Sequence, residues 1–271
     1  MSVVSLVLPR LVDVSAASRR SASVTERNVA ALRSVYWLLL VSGFVEPLLY
    51  LLSIGVGVGA LIGDIPVPGG EVVTYAAFVA PAMLASSAMS GALSETTFNF
   101  FGKIKYMKLY DGVIATPVRP FEIALGELAW AMLRGSTYSA AFLAVMVLMD
   151  LTTTARALVA FPAAVLVGFA FGALGMATAT FMRSWQDFDL MGSAQFTLFL
   201  FSGTFVPAES YPTVLRWLVE VTPLYRAVHL IRGISVGVDG WAWVLDVLYL
   251  LAALGLGLLI ASRRMGGLLY K

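Results

Sequence analysis

The stretch ALVAFPAAVLVGFAFGALGMATATFM, residues Ala157–Met182, carries no charged side chain anywhere along its length. A helix rising about 1.5 Å per residue needs about 20 such residues to cross about 30 Å of hydrocarbon. This stretch is long enough to span a bilayer by itself. Moving outward, Leu190–Ala208 is a second uncharged run, and Trp241–Ser262 holds only Asp246. Towards the amino terminus, Phe121–Met149 is long enough despite Glu122, Glu127 and Arg134. Val72–Leu93 is clean, and Val35–Ile62 is interrupted only by Glu46-Pro47. The expected architecture is all-α, a polytopic membrane protein of six spans with both termini on one side of the bilayer.

Composition agrees. Apolar residues make up 59% of the 271 and charged residues 13%, with a mean hydropathy of +0.87. A soluble domain has about 45–50% apolar and about 25% charged residues, so this chain lacks the polar side chains to cover itself in water. A free-standing soluble enzyme, a disordered chain and a secreted disulfide scaffold are excluded. No cysteine is present, which removes disulfides and thiolate metal sites.

Charge placement predicts the orientation. With both termini cytoplasmic, the inner segments hold Arg10, Arg19, Arg20, Arg27 and Arg33, then Lys103, Lys105, Lys108 and Arg119. Arg183, Arg263, Arg264 and Lys271 complete thirteen of the eighteen basic residues. The outer segments hold Arg156, Arg216, Arg226 and Arg232, and Arg134 lies within a span. Positive charge concentrates on the cytoplasmic side of membrane proteins, so the chain is expected in the cytoplasmic membrane as a multi-pass protein. The domain division is 1–34 as a cytoplasmic amino-terminal segment, 35–262 as the membrane domain and 263–271 as a cytoplasmic tail. A cleavable signal is not expected, because 34 residues with five arginines precede the first long apolar run.

Ser23-Val-Thr-Glu26 fits a capping box, which predicts a helix start there. The stretch that follows, Val24–Ser34, reads either as an interfacial amphipathic helix or as a plain solvated helix end. Between spans two and three, Asn99–Pro117 is short and basic, with Lys103, Lys105, Tyr106, Lys108, Leu109, Tyr110 and Asp111. It reads either as a topology-setting loop or as a short helix docking on a cytoplasmic partner. Val206–Asp239, with Pro207, Pro212 and Pro223, is too polar to span and too apolar for a floppy loop. A re-entrant or interfacial pair of helices fits it.

Catalytic constellations are sparse. His229 is the only histidine, so a multi-His metal site is excluded, and no Gly-x-Ser-x-Gly elbow accompanies it. The single Gly-Lys pair, Gly102-Lys103, is followed by Ile104 and has no phosphate-loop context. Any nucleotide-driven motor must therefore sit on another polypeptide. Ionisable side chains within the bilayer are functional candidates because each is expensive unless paired or hydrated. Here they are Glu46, Glu127, Arg134 and Asp246. Glu127 and Arg134 lie on one helix face, roughly 10 Å apart in rise, too far to pair tightly, so each must meet another helix or water. Gly168, Gly172 and Gly175 form a small-residue face suited to close helix packing.

Six segments together are similar to the permease subunits of ABC type-2 exporters. They are Phe44–Gly59 (FVEPLLYLLSIGVGVG), Tyr75–Met89 (YAAFVAPAMLASSAM), Lys108–Val118 (KLYDGVIATPV), Gly126–Gly135 (GELAWAMLRG), Phe201–Pro207 (FSGTFVP) and Pro223–Gly233 (PLYRAVHLIRG). The chain most resembles the nodulation-type lipooligosaccharide permeases and their daunorubicin-type drug-resistance relatives. The resemblance implies a dimeric permease, built from a second copy or a paralogue, and separate cytoplasmic ATPase subunits. ATP and Mg would be held by those subunits, with no cofactor, metal or catalytic residue in this chain and no nucleic-acid partner.

It further implies an amphipathic helix before span one, re-entrant outer helices within 206–239 and a coupling helix within 99–117. A pathway between subunits, lined mostly by spans one and five, makes Glu46, Tyr50, Phe196, Phe199 and Phe205 candidate lining residues, with interhelical packing as the other reading. The expected function is ATP-driven export of an amphiphile: a glycolipid, a lipooligosaccharide or a lipophilic drug. The alternative is a proton-coupled secondary transporter using intramembrane carboxylates, though no internal repeat relates the two halves of the chain.

Overall fold

The computed structural model describes residues 20–28, 45, 48, 49, 51–66, 72–237 and 241–269. Residues 20–28 form a helix, α1. Ser23–Glu26 therefore lies inside a helix already under way at Arg20, and the expected helix start at Ser23 is corrected. The first apolar run is helical over Leu51–Ile62 (α2), wound as wide π-type turns through Val58 and closing as an α-helical turn. Its earlier part, with Glu46, Pro47 and Tyr50, lies outside the described residues. A small antiparallel hairpin follows, β1 (Asp64–Pro66) with β2 (Val72–Thr74), in which Asp64 faces Thr74.

Thr74 then starts a long helix, its hydroxyl accepting from the Ala77 amide at 3.3 Å. This helix, α3 (Tyr75–Lys105), runs through Pro81 and a π-type turn at Glu95–Asn99. The expected 99–117 loop accordingly begins as helix and becomes a turn only at Tyr106. Lys108, in the left-handed region at φ 46°, reverses the chain into α4 (Leu109–Ile114). α5 (Pro120–Leu148) opens with proline at its first position, where the missing N–H costs nothing. The Glu122 carboxylate reaches back to the Arg119 amide at 2.8 Å. α6 (Thr154–Ala179) is capped by Thr153.

α7 (Asp187–Leu200) has 14 residues, about 21 Å at 1.5 Å per residue. The uncharged run Leu190–Ala208 is thus helical only to Leu200. Gly203 at φ 68° and Pro207 break the continuation. The 206–239 segment holds the expected pair of short helices, α8 (Thr213–Val221) and α9 (Pro223–Val236). α10 (Ala242–Leu269) continues seven residues past the expected end at Ser262.

Four of these helices, α3, α5, α6 and α10, are long and apolar enough to cross a membrane. α6 is the centre, packed against α3, α5, α9 and α10. Its small residues make that possible. A Cβ on Gly172 would meet Leu128 Cδ1 at 2.5 Å, and one on Gly175 would meet Thr96 Oγ1 at 2.6 Å. From the other side, a Cβ on Gly257 of α10 would strike the Ala173 backbone carbonyl carbon at 2.6 Å. The glycine face of α6 is a packing face.

Candidate functional site

α7 is packed more loosely than the four long helices, with Phe188 its only buried residue. Between α7, α3 and α5 lies an open groove of about 680 Å³. From α3 it is lined by Ser86, Ser90, Ser94 and Thr97, and from α5 by Arg134 and Tyr138. α7 contributes Phe188, Gln195, Phe196 and Phe199. A hydrogen bond crosses it from Gln195 Nε2 to Ser90 Oγ at 2.7 Å. Arg134 is neutralised at the wall by Glu95, which also accepts from Asn99 Nδ2 at 2.6 Å. A concave, largely apolar space with a few convergent polar groups is the usual form of a small-molecule site.

The end of the bundle that carries α4 is built differently. The Glu127 carboxylate, 6% exposed, accepts from Arg27 Nη2 at 2.8 Å, Asn28 Nδ2 at 3.0 Å and Lys103 Nζ at 2.6 Å. Arg20 bonds Glu122 at 3.3 Å and the Pro117 carbonyl at 3.0 Å. α1 thereby lies directly on α5. Thr25 donates to the Gly126 carbonyl at 3.0 Å, and a Cβ on Gly126 would meet the Ser21 carbonyl and Val24 Cβ at 2.7 Å. Ser21, Val24 and Asn28 form the buried face of α1 and Glu26 its exposed face. Tyr110 of α4 is buried beside this cluster against Phe100 at 5.8 Å, its hydroxyl without a partner among the described residues. Burial, reinforced by the Glu127 charge, pushes the Tyr110 phenol well above its ordinary pKa.

At the opposite end, Asp246 of α10 is fully buried. It takes Arg226 Nη1 at 3.3 Å and His229 Nδ1 at 2.5 Å from α9. Arg232 of α9 donates to the carbonyls of Phe78 at 3.1 Å and Gly203 at 2.8 Å, and lies 3.8 Å over the Phe78 ring. It pins the irregular segment after α7, whose Ser202 and Thr204 hydroxyls bond each other at 2.6 Å. The irregular backbone thus has its Gly203 carbonyl satisfied from within the protein.

The residues singled out in the sequence separate into groups. Glu127, Arg134 and Asp246 each meet an opposite charge from another helix; for the first two, the spacing had left another helix or water as the alternatives. Phe196 and Phe199 line the groove, while Phe205 sits edge-on to Phe199 at 5.3 Å, outside the lining. Glu46 and Tyr50 lie outside the described residues. In the 99–117 segment, Lys103 and Tyr110 turn inward and Leu109 is half-buried. Lys105, Tyr106, Lys108 and Asp111 are exposed. Tyr106 stacks on Trp185 at 5.4 Å, part of an aromatic cluster with Phe98, Phe101 and Phe188. Sequence reading missed Ser86, Ser90, Gln195 and Glu95. The four-residue spacing of Ser86, Ser90 and Ser94, which puts one hydroxyl face on a helix, was the available signal.

With this geometry in view, residues 22–236 match the family described as ABC-2 type transporter. The chain is 32% identical to nodulation protein J of Rhizobium leguminosarum bv. trifolii over 216 residues, 79% of this chain and 80% of that one. It is 29% identical to nodulation protein J of Rhizobium meliloti strain 1021 over the same shares. Nodulation protein J of Bradyrhizobium diazoefficiens is 28% identical over 86% of this chain and 88% of its own length. A bundle with four helices long and apolar enough to cross a membrane, matched along most of its length in this way, is an integral membrane protein, and the chain belongs to the ABC-2 type transporter family as a transporter permease subunit.

Proposed function

We propose that this subunit is the membrane half of an ATP-driven exporter that moves an amphiphile outward across the cytoplasmic membrane, with the ATPase on a separate cytoplasmic polypeptide. A glycolipid, a lipooligosaccharide or a lipophilic drug is the cargo class. A second copy or a paralogue completes the permease. The similarity to nodulation protein J across 79% of the chain carries this reading. In it, both termini and the α4 end face the cytoplasm, six segments cross the bilayer, and α8 and α9 re-enter from outside.

The exposed Lys105, Tyr106, Lys108 and Asp111 form the face that meets the ATPase, with Lys103 and Tyr110 as its inward anchors. Closure of the ATPase dimer moves α4 and, through the charge cluster at Glu127, shifts α1, α3 and α5 together. A packed bundle responds to such a push by switching between two arrangements rather than by deforming continuously. The proton-coupled alternative loses ground because Glu127 and Asp246 are held in ion pairs rather than facing water.

Transport in inside-out vesicles tests this. Uptake that requires hydrolysable ATP and survives an uncoupler is the expected result. Uptake that continues without ATP and collapses with the uncoupler would move the chain to the proton-driven class.

A further inference from the structure

The α3 wall of the groove presents Ser86, Ser90 and Ser94 at a spacing of four residues, which places them on one helix face. Within a helix a hydroxyl ordinarily donates back to the carbonyl one turn earlier, as Ser193 does to Asp189 and Thr197 to Ser193, both at 2.9 Å. Ser86 does not. Its residue is 7% exposed, its Oγ has no hydrogen-bond partner among the described residues, and it lines the groove. One turn further on, Ser90 is engaged from across the groove by Gln195 at 2.7 Å. A primary amide carries two N–H donors and a carbonyl acceptor, of which that bond uses one donor.

The charge of the lining decides which head group fits. Among the described residues that line the groove, Arg134 is the only formally charged one, and Glu95 neutralises it. An anionic head group would have to displace Glu95, and a cationic one would face Arg134. Neither charge meets a free opposite charge at that wall, whereas neutral hydroxyl and amide groups find matching partners. Beside further hydroxyls from Ser94, Thr97 and Tyr138, the lining offers Met83, Met89, Met191, Phe196 and Phe199, an apolar surface that its methionines make adaptable in shape.

We propose that the groove between α3 and α7 recognises an uncharged amphiphile, whose hydroxyl or amide head group bonds Ser86 and Gln195 while its hydrocarbon chain lies against Met191, Phe196 and Phe199. This rests on the amphiphile-transport reading but concerns binding alone.

Electron paramagnetic resonance of the purified full chain in zwitterionic nanodiscs tests it. Three probes share one nitroxide-labelled acyl chain: a monoacylglycerol, a phosphatidic acid and an acyl-trimethylammonium. The monoacylglycerol is expected to show the largest motionally restricted fraction, with a relative association on the order of tenfold over both charged probes for two hydrogen bonds of ordinary net strength. Ser86→Ala combined with Gln195→Leu should bring the three to parity, and Ser86→Thr should keep the preference. Equal or stronger association of either charged probe, or a preference that survives the double substitution, overturns the proposal. No nucleotide enters the measurement, so its failure leaves the ATP-driven mechanism standing, and loss of that mechanism leaves the binding result intact.

Discussion

The α4 end of the bundle is held by formal charges, the groove beside α7 is lined mainly by neutral hydroxyl, amide and apolar groups, and the two are assembled in opposite ways. At the α4 end, one carboxylate collects three donors from two other helices, and the α1 backbone is pressed onto Gly126. At the groove, α7 is held off the bundle, a Gln195–Ser90 hydrogen bond spans the space, and the buried Ser86 hydroxyl has no partner among the described residues. The first region is assembled as a joint, in which the charged side chains are fixed by one another. The second keeps hydrogen-bonding capacity in reserve. In the proposed mechanism, force passes through the first region and a guest enters the second.

The largest effect should come from breaking the joint. Glu127→Ala leaves Lys103 and Arg27 without their carboxylate, and removing one partner of a buried pair costs about 3–5 kcal/mol. Unfolding in mixed micelles should show a loss near the lower figure, because Arg27 is 33% exposed and partly hydrated. A loss below about 1 kcal/mol, the level of a surface pair, would mean the cluster is not a joint.

Next in size, Gly126→Val drives a side chain into the Ser21 carbonyl and Val24. Overpacking of this kind costs about 1–3 kcal/mol, and here α1 can relieve it by lifting off α5. Greater protease access at Arg20 and Arg27, with little change in the α3–α6 core, is the expected signature; unchanged access would contradict the close backbone contact.

The smallest effect belongs to the groove. Ser86→Ala deletes a hydroxyl that bonds nothing among the described residues, so stability should stay constant or rise by up to about 1 kcal/mol. A clear loss of stability would reveal a structural bond and erase the contrast between the two regions.

Much of the fold was legible in the sequence because hydropathy reports directly on burial in lipid. The runs Phe121–Met149 and Ala157–Met182 coincide closely with α5 and α6. That Glu127 and Arg134 do not pair with each other followed from their spacing; that each meets another helix rather than water, and which residues it meets, did not. Arg27 and Glu95 stand 100 and 39 residues away in sequence, and only packing brings them together. The end of α7 at Leu200 was hidden for a related reason. Leu190–Ala208 is uniformly uncharged, and hydropathy cannot tell helix from irregular backbone that Arg232 satisfies from a distance. Gly203 and Pro207 were the local signs. The groove was invisible because it is a space between helices, and its hydroxyl face on α3 was masked by the surrounding alanines and methionines. Likewise, a basic loop at 99–117 did not reveal that Tyr110 would be buried while Tyr106 stayed outside.

The central claim is that the driving force enters at the α4 end from a separate polypeptide. Co-purification of the tagged chain from its native membranes in mild detergent tests it most directly, with Asp111→Lys as the companion variant. The account predicts an ATPase bound at one copy per permease, lost with Asp111→Lys while the permease itself stays assembled. A purified permease free of any ATPase that still moves cargo after reconstitution would contradict it.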